Sequence, residues 1–159
     1  MLNVTLITVG TLKESYLREA AAEYEKRLQS YCRLQVVTLK ESRLSDDPGA
    51  GEISAALSAE GRQILAAVPP RAYRVALCVE GTQLSSEELS QRLGQIGQTH
   101  GALCLIIGSS FGLAPEVKSA CDFRLSVSRL TFPHQLMRVL LLETLYRSLG
   151  ILAGSRYHK

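Results

Sequence analysis

The chain has 159 residues, 46% of them hydrophobic and 21% charged, with a net charge of +3. That is the size and polarity of one globular domain with a sizeable core, so residues 1–159 are expected to form a single unit. The first residues lack a basic, apolar leader and no apolar run approaches the roughly 18 residues of a membrane span, which together point to a cytosolic protein.

Charge is unevenly spread. Residues 124–159 hold six basic side chains, Arg124, Arg129, Arg138, Arg147, Arg156 and Lys159, against Glu143 alone. A basic segment beside a mildly acidic remainder suits a phosphate-bearing partner. The four cysteines, Cys32, Cys78, Cys104 and Cys121, form no C-x-x-C pair, and Cys78 and Cys104 fall in apolar runs where a thiol packs as a small hydrophobe. Neither a metal site nor a disulfide is expected.

In chain order, residues 1–9 are apolar and β-branched, end at Gly10 and predict a buried strand. Leu17, Ala20, Ala21, Tyr24 and Leu28 then recur at helical spacing among charged residues. Residues 34–39 predict a second strand. The polar stretch 40–51, with Asp46-Asp47-Pro48-Gly49, is expected to be a mobile loop. Ile53, Leu57, Ile64, Leu65 and Val68 mark a second helix, interrupted at Gly61 and stopped by Pro69-Pro70. A third strand over residues 74–79 ends at Glu80-Gly81.

Ser85 with Glu88 three residues later forms a capping box ahead of Leu89, Leu93 and Ile96, hence a third helix. Residues 102–107 are continuously apolar, as a strand covered on both faces should be. Pro115 suits the first turn of a short helix running to about Cys121. Phe123, Leu125 and Val127 alternate with Arg124, Ser126 and Ser128, predicting a strand with one polar face. Pro133 opens a last helix whose residues 136–149 are apolar almost all round, so it is either central to the fold or half of a subunit interface. Gly150 and Gly154 can end it, leaving residues 155–159 as a polar tail.

Strands alternating with helices predict an α/β fold with a mostly parallel sheet of five or six strands and helices on both faces. In such a sheet, ligands sit outside the carboxyl ends of the strands. The common nucleotide signatures are missing there: Gly10 is followed by Thr11-Leu12-Lys13 rather than a G-x-G-x-x-G run, and there is no Walker A sequence or G-x-S-x-G elbow. The glycine loop, Gly108-Ser109-Ser110-Phe111-Gly112, instead follows the fourth strand.

Five segments in order carry a resemblance. They are Val9-Gly10-Thr11-Leu12-Lys13-Glu14 with Glu23-Tyr24-Glu25-Lys26-Arg27-Leu28, Ile106-Ile107-Gly108 with Gly112-Leu113, Leu130-Thr131-Phe132-Pro133-His134-Gln135 with Arg138, Glu143 with Tyr146-Arg147, and the closing Tyr157-His158-Lys159. Over essentially its whole length the chain resembles the RlmH family, ribosomal large-subunit methyltransferases of the SPOUT class. The resemblance implies a C-terminal trefoil knot that binds S-adenosylmethionine, a homodimer, and methylation of N3 of a pseudouridine in 23S rRNA.

By that resemblance Leu77, Gly108 and the run Val127, Ser128, Arg129, Leu130, Thr131 and Phe132 line the cofactor pocket. Glycine permits the close backbone approach that such a pocket needs. One departure stands out: Ser109 replaces the second of two glycines usual in relatives, so the loop gains a side chain that either touches the cofactor or points to solvent. An imide nitrogen must lose a proton before it attacks, and the candidate bases are His134 and His158. The tail residues Arg156, Tyr157, His158 and Lys159 are expected to clamp RNA and stack on a base, with Arg138 pairing either with a phosphate or with a buried carboxylate. Alternatives are a SPOUT methyltransferase acting on tRNA and a ribosome-binding module without catalysis.

Overall fold

The computed structural model describes residues 1–156. Strands and helices alternate as β1 (Leu2–Val9), α1 (Ser15–Leu28), β2 (Cys32–Leu39), α2 (Ala50–Ala67), β3 (Tyr73–Gln83), α3 (Ser86–Thr99), β4 (Ala102–Ile107), α4 (Pro115–Ala120), β5 (Phe123–Ser126) and α5 (His134–Leu152). The strands form one five-stranded sheet in the order β2-β1-β4-β3-β5, and every pairing is parallel. All five carboxyl ends therefore face the same edge.

Two apolar layers cover the sheet, and the period-2 alternation of the central strands assigns residues to each. Val4 and Leu6 of β1 with Leu103, Leu105 and Ile107 of β4 face one core, which α1, α3 and α5 close. Ile7 and Val9 with Cys104 and Ile106 face the other, which α2 and α4 close through Ile64 and Val117. The central strands are apolar on both faces because both faces are dry.

Several expectations need correction. Gly61 does not interrupt α2; it is buried where α2 crosses α4, and a Cβ there would lie 3.1 Å from Val117 Cγ2. β3 does not stop at Gly81 but runs to Gln83, because only a glycine allows the backbone of β5 to come so near: a Cβ would lie 2.8 Å from the Arg124 carbonyl. β5 is shorter than expected, and its supposed polar face is broken by Ser126, which is 3% exposed. The loop before α2 is stitched down, with Ser42 N donating to Glu60 Oε2 at 2.9 Å and Ser45 N to Glu52 Oε1 at 2.7 Å.

The last helix is central rather than superficial. α5 lies against both α1 and α3, and Leu141, Leu142, Leu145 and Leu149 are buried between them and the sheet. Gly150 stays inside this helix; Gly154, with φ +81°, ends it, as Ser155 N donates to Gly150 O and Gly154 N to Ile151 O. The capping box at the start of α3 forms as expected, with Glu88 N donating to Ser85 Oγ and Ser85 N to Glu88 Oε2.

These placements set relative costs. Leu142→Ala should destabilise the domain by about 2–5 kcal/mol through the cavity it leaves, whereas Ser85→Ala should cost about 1 kcal/mol through the lost cap. Urea unfolding measures both. Equal costs would remove α5 from the core.

Candidate active site

Parallel pairing brings the ends of β4, β3 and β5 side by side, and there the chain leaves the ladder three times. Leu125 of β5 faces both Leu77 and Thr82 of β3, so residues 78–81 bulge out of the sheet. After β4, Ser109 and Gly112 pair across a tight turn, with Gly112 N donating to Ser109 O at 2.9 Å and Gly112 at φ +88°. After β5, Ser126 Oγ donates to Ser128 O at 3.0 Å and Leu130 N donates to Ser128 Oγ at 2.9 Å, which folds residues 126–130 on themselves.

A cavity of about 270 Å³ lies between these three segments and the first turn of α5. Leu77, Gly108, Val127, Ser128, Leu130, Thr131, Phe132 and His134 all line it. Arg129 does not; its side chain is exposed beside the loop. Gly108 sits at the most crowded point, since a Cβ would lie 2.6 Å from the Gly112 carbonyl carbon and 2.9 Å from Leu113 Cδ2. Ser109 is 6% exposed and lines the cavity, so it does not point to solvent.

The remaining expected residues are elsewhere. Arg138 is 8% exposed, and its Nη2 donates to Gly10 O at 2.7 Å. Burial depresses its pKa and the charge of Glu25 opposes that, and its guanidinium is not presented to solvent. Arg156 is exposed beyond the far end of α5. Tyr157, His158 and Lys159 lie outside the described residues. Arg147 is taken up by Glu143 one turn away, at 2.6 Å, which further thins the expected basic surface.

Sequence reasoning missed Cys78, Val79, Glu80, Lys118 and Met137, which also line the cavity. For the first three the available signal was Gly81, because a glycine within a strand pattern marks a bulge. Cys78 is neutral lining: burial first, and the charge of Glu80 second, push its thiol above the usual range. Glu80 is held below the usual carboxylate range, chiefly by the hydrogen bond it accepts from Lys118 Nζ.

The cavity suits an adenosyl group. Its lining combines apolar side chains with Gly108 and Gly112, four serines, Thr131, His134, Glu80 and Lys118. Gly108→Ala should force the Ser109–Gly112 turn outward and weaken S-adenosylmethionine by more than about tenfold, or ~1.4 kcal/mol. Calorimetry measures this, and unchanged affinity would show that the turn has room to spare.

Comparison with known proteins agrees with this geometry. Residues 2–158 match the family described as "Predicted SPOUT methyltransferase". The chain is 44% identical to ribosomal RNA large subunit methyltransferase H of Clostridium novyi (strain NT), over 99% of this chain and 100% of that protein. It is 40% identical to the protein of the same name from Clostridioides difficile (strain 630), with the same coverage. It is 43% identical to that of Moorella thermoacetica (strain ATCC 39073 / JCM 9320), over 100% of both chains. A match over nearly every residue leads to one conclusion: the chain belongs to the SPOUT methyltransferase family, whose methyl donor is S-adenosylmethionine.

Proposed function

We propose that this chain methylates N3 of a pseudouridine in the 23S rRNA of the large ribosomal subunit, acting as a homodimer. The observation that carries the reading is the full-length identity to relatives named for large-subunit rRNA methylation, joined to a cavity that keeps Gly108. The tRNA alternative has no feature of the chain in its favour. The non-catalytic alternative rested on Ser109, and that residue is accommodated within the turn without displacing Gly108.

When bound, S-adenosylmethionine supplies an electrophilic methyl group on a sulfonium. The protein's task is placement, since an in-line displacement gains most from fixing the attacking atom and excluding other nucleophiles. Leu77, Ile107 and Leu125 form the apolar floor, Gly108 and the 127–132 loop supply approachable backbone, and His134 stands at the wall as a proton acceptor for the imide.

A trefoil knot is part of the proposal. It is supported by the bulge of β3 around β5, by the near-contact of Gly81 with the Arg124–Leu125 backbone, and by the loop that then returns the chain to the centre as α5.

A shared site is supported by the direction of α5. His134 and Met137 line the cavity, whereas Leu149 and Leu152 lie at the opposite end beside Met1 and Leu2. The 19 residues of α5 cover about 27 Å, and Arg156 follows at the far end, so a role for this end of the chain at a cavity calls for the cavity of a second copy. Val79, Phe111 and Leu130, at 47%, 46% and 72% exposure, form an apolar rim around the cavity mouth that a second copy would cover.

Mixing two inactive variants tests this arrangement. Gly108→Asp should lose cofactor binding, and a chain lacking residues 156–159 should bind cofactor yet fail to methylate ribosomes. Co-refolded mixtures should regain activity, because one mixed dimer holds an intact cavity opposite an intact tail. No recovery, or a monomer on sizing at micromolar concentration, would refute the shared site.

A further inference from the structure

Only two Asp, Glu, Lys or Arg side chains are found among the described residues that line the cavity: Glu80 on the β3 bulge and Lys118 on α4. They are bonded to each other, Nζ to Oε1, across the gap between those two elements. Glu80 reaches the cavity because residues 78–81 have left the ladder. Lys118 reaches it because α4 starts shortly after the Ser109–Gly112 turn, with Val117 anchored at 0% exposure and the next side chain pointing away from that core.

The methionine end of S-adenosylmethionine is a zwitterion, with an α-ammonium and an α-carboxylate on one carbon. Burying either charge without a partner is expensive. Among apolar side chains, hydroxyls and His134, the cavity offers these two charges one cation and one anion, already adjacent. We propose that Glu80 and Lys118 form the subsite for the amino-acid end of the cofactor: Lys118 takes the α-carboxylate, Glu80 takes the α-ammonium, and their mutual bond is exchanged for these two. The exchange replaces one charge-assisted contact with two, so opening the pair is offset by ligand contacts of the same kind.

The inference rests on the cofactor assignment above, and ligands of different charge separate the two. Calorimetry would compare S-adenosylmethionine with its decarboxylated form, which lacks only the carboxylate, and S-adenosylhomocysteine with 5′-methylthioadenosine, which lacks the whole amino-acid end. Lys118→Met should weaken S-adenosylmethionine about tenfold or more, as loss of a hydrogen bond to a charged group does, and leave the decarboxylated form unchanged. Glu80→Gln, on a side chain that is 56% exposed, should fold normally. It should weaken S-adenosylhomocysteine while sparing 5′-methylthioadenosine. Equal losses for both members of a pair, or no loss, would reduce the ion pair to a clasp between β3 and α4 and overturn the subsite. Failure of the unaltered protein to bind any of the four would instead overturn the cofactor assignment.

Discussion

Two contacts between main-chain segments set the geometry on which the rest depends. Gly81 lies against the Arg124–Leu125 backbone and Gly108 against the Gly112 carbonyl, both closer than any side chain permits. The first lets β3 bulge without losing β5, so that Cys78, Val79 and Glu80 leave the sheet and become a wall. The second closes the turn after β4 and brings its residues 109–113 to the cavity. The shape of that wall follows from where glycines allow main chain to crowd.

The first turn of α5 joins that site to the remainder of the fold. His134 and Met137 face the cavity, while Gln135 and Arg138 face the loop after β1: Lys13 N donates to Gln135 Oε1 at 3.0 Å and Arg138 Nη2 to Gly10 O. A buried guanidinium is costly unless it is paired, and here a carbonyl and the field of Glu25 offset the cost. Movement of the loop after β1 would therefore be felt at the cavity wall.

Much of the architecture was legible in the sequence because it depends on local periodicity. The alternating elements, the capping box at Ser85 and Glu88, and the doubly buried β4 follow from spacing alone. What escaped depends on distant segments meeting. Gly61 reads as a breaker until Val117 is seen packed against it, and Gly81 reads as a strand end until β5 is placed beside it. α5 is apolar all round for the reason given by its neighbours, a sheet below and α1 and α3 beside it. Resemblance located the 127–132 loop, whose members except Arg129 line the cavity. It also left Lys118 unremarked, since a lone lysine on a short helix carries no signal.

The lining also limits where the proton of the target imide can go. Cys78 holds its proton above the usual range and supplies no thiolate, and Glu80 is ionised but engaged by Lys118. His100, the other imidazole among the described residues, is packed edge-on to Tyr73, away from the cavity. Among the described imidazoles this leaves His134, which α5 fixes at the wall. A cavity lined this way offers placement more than side-chain chemistry, and placement is where an in-line displacement gains most.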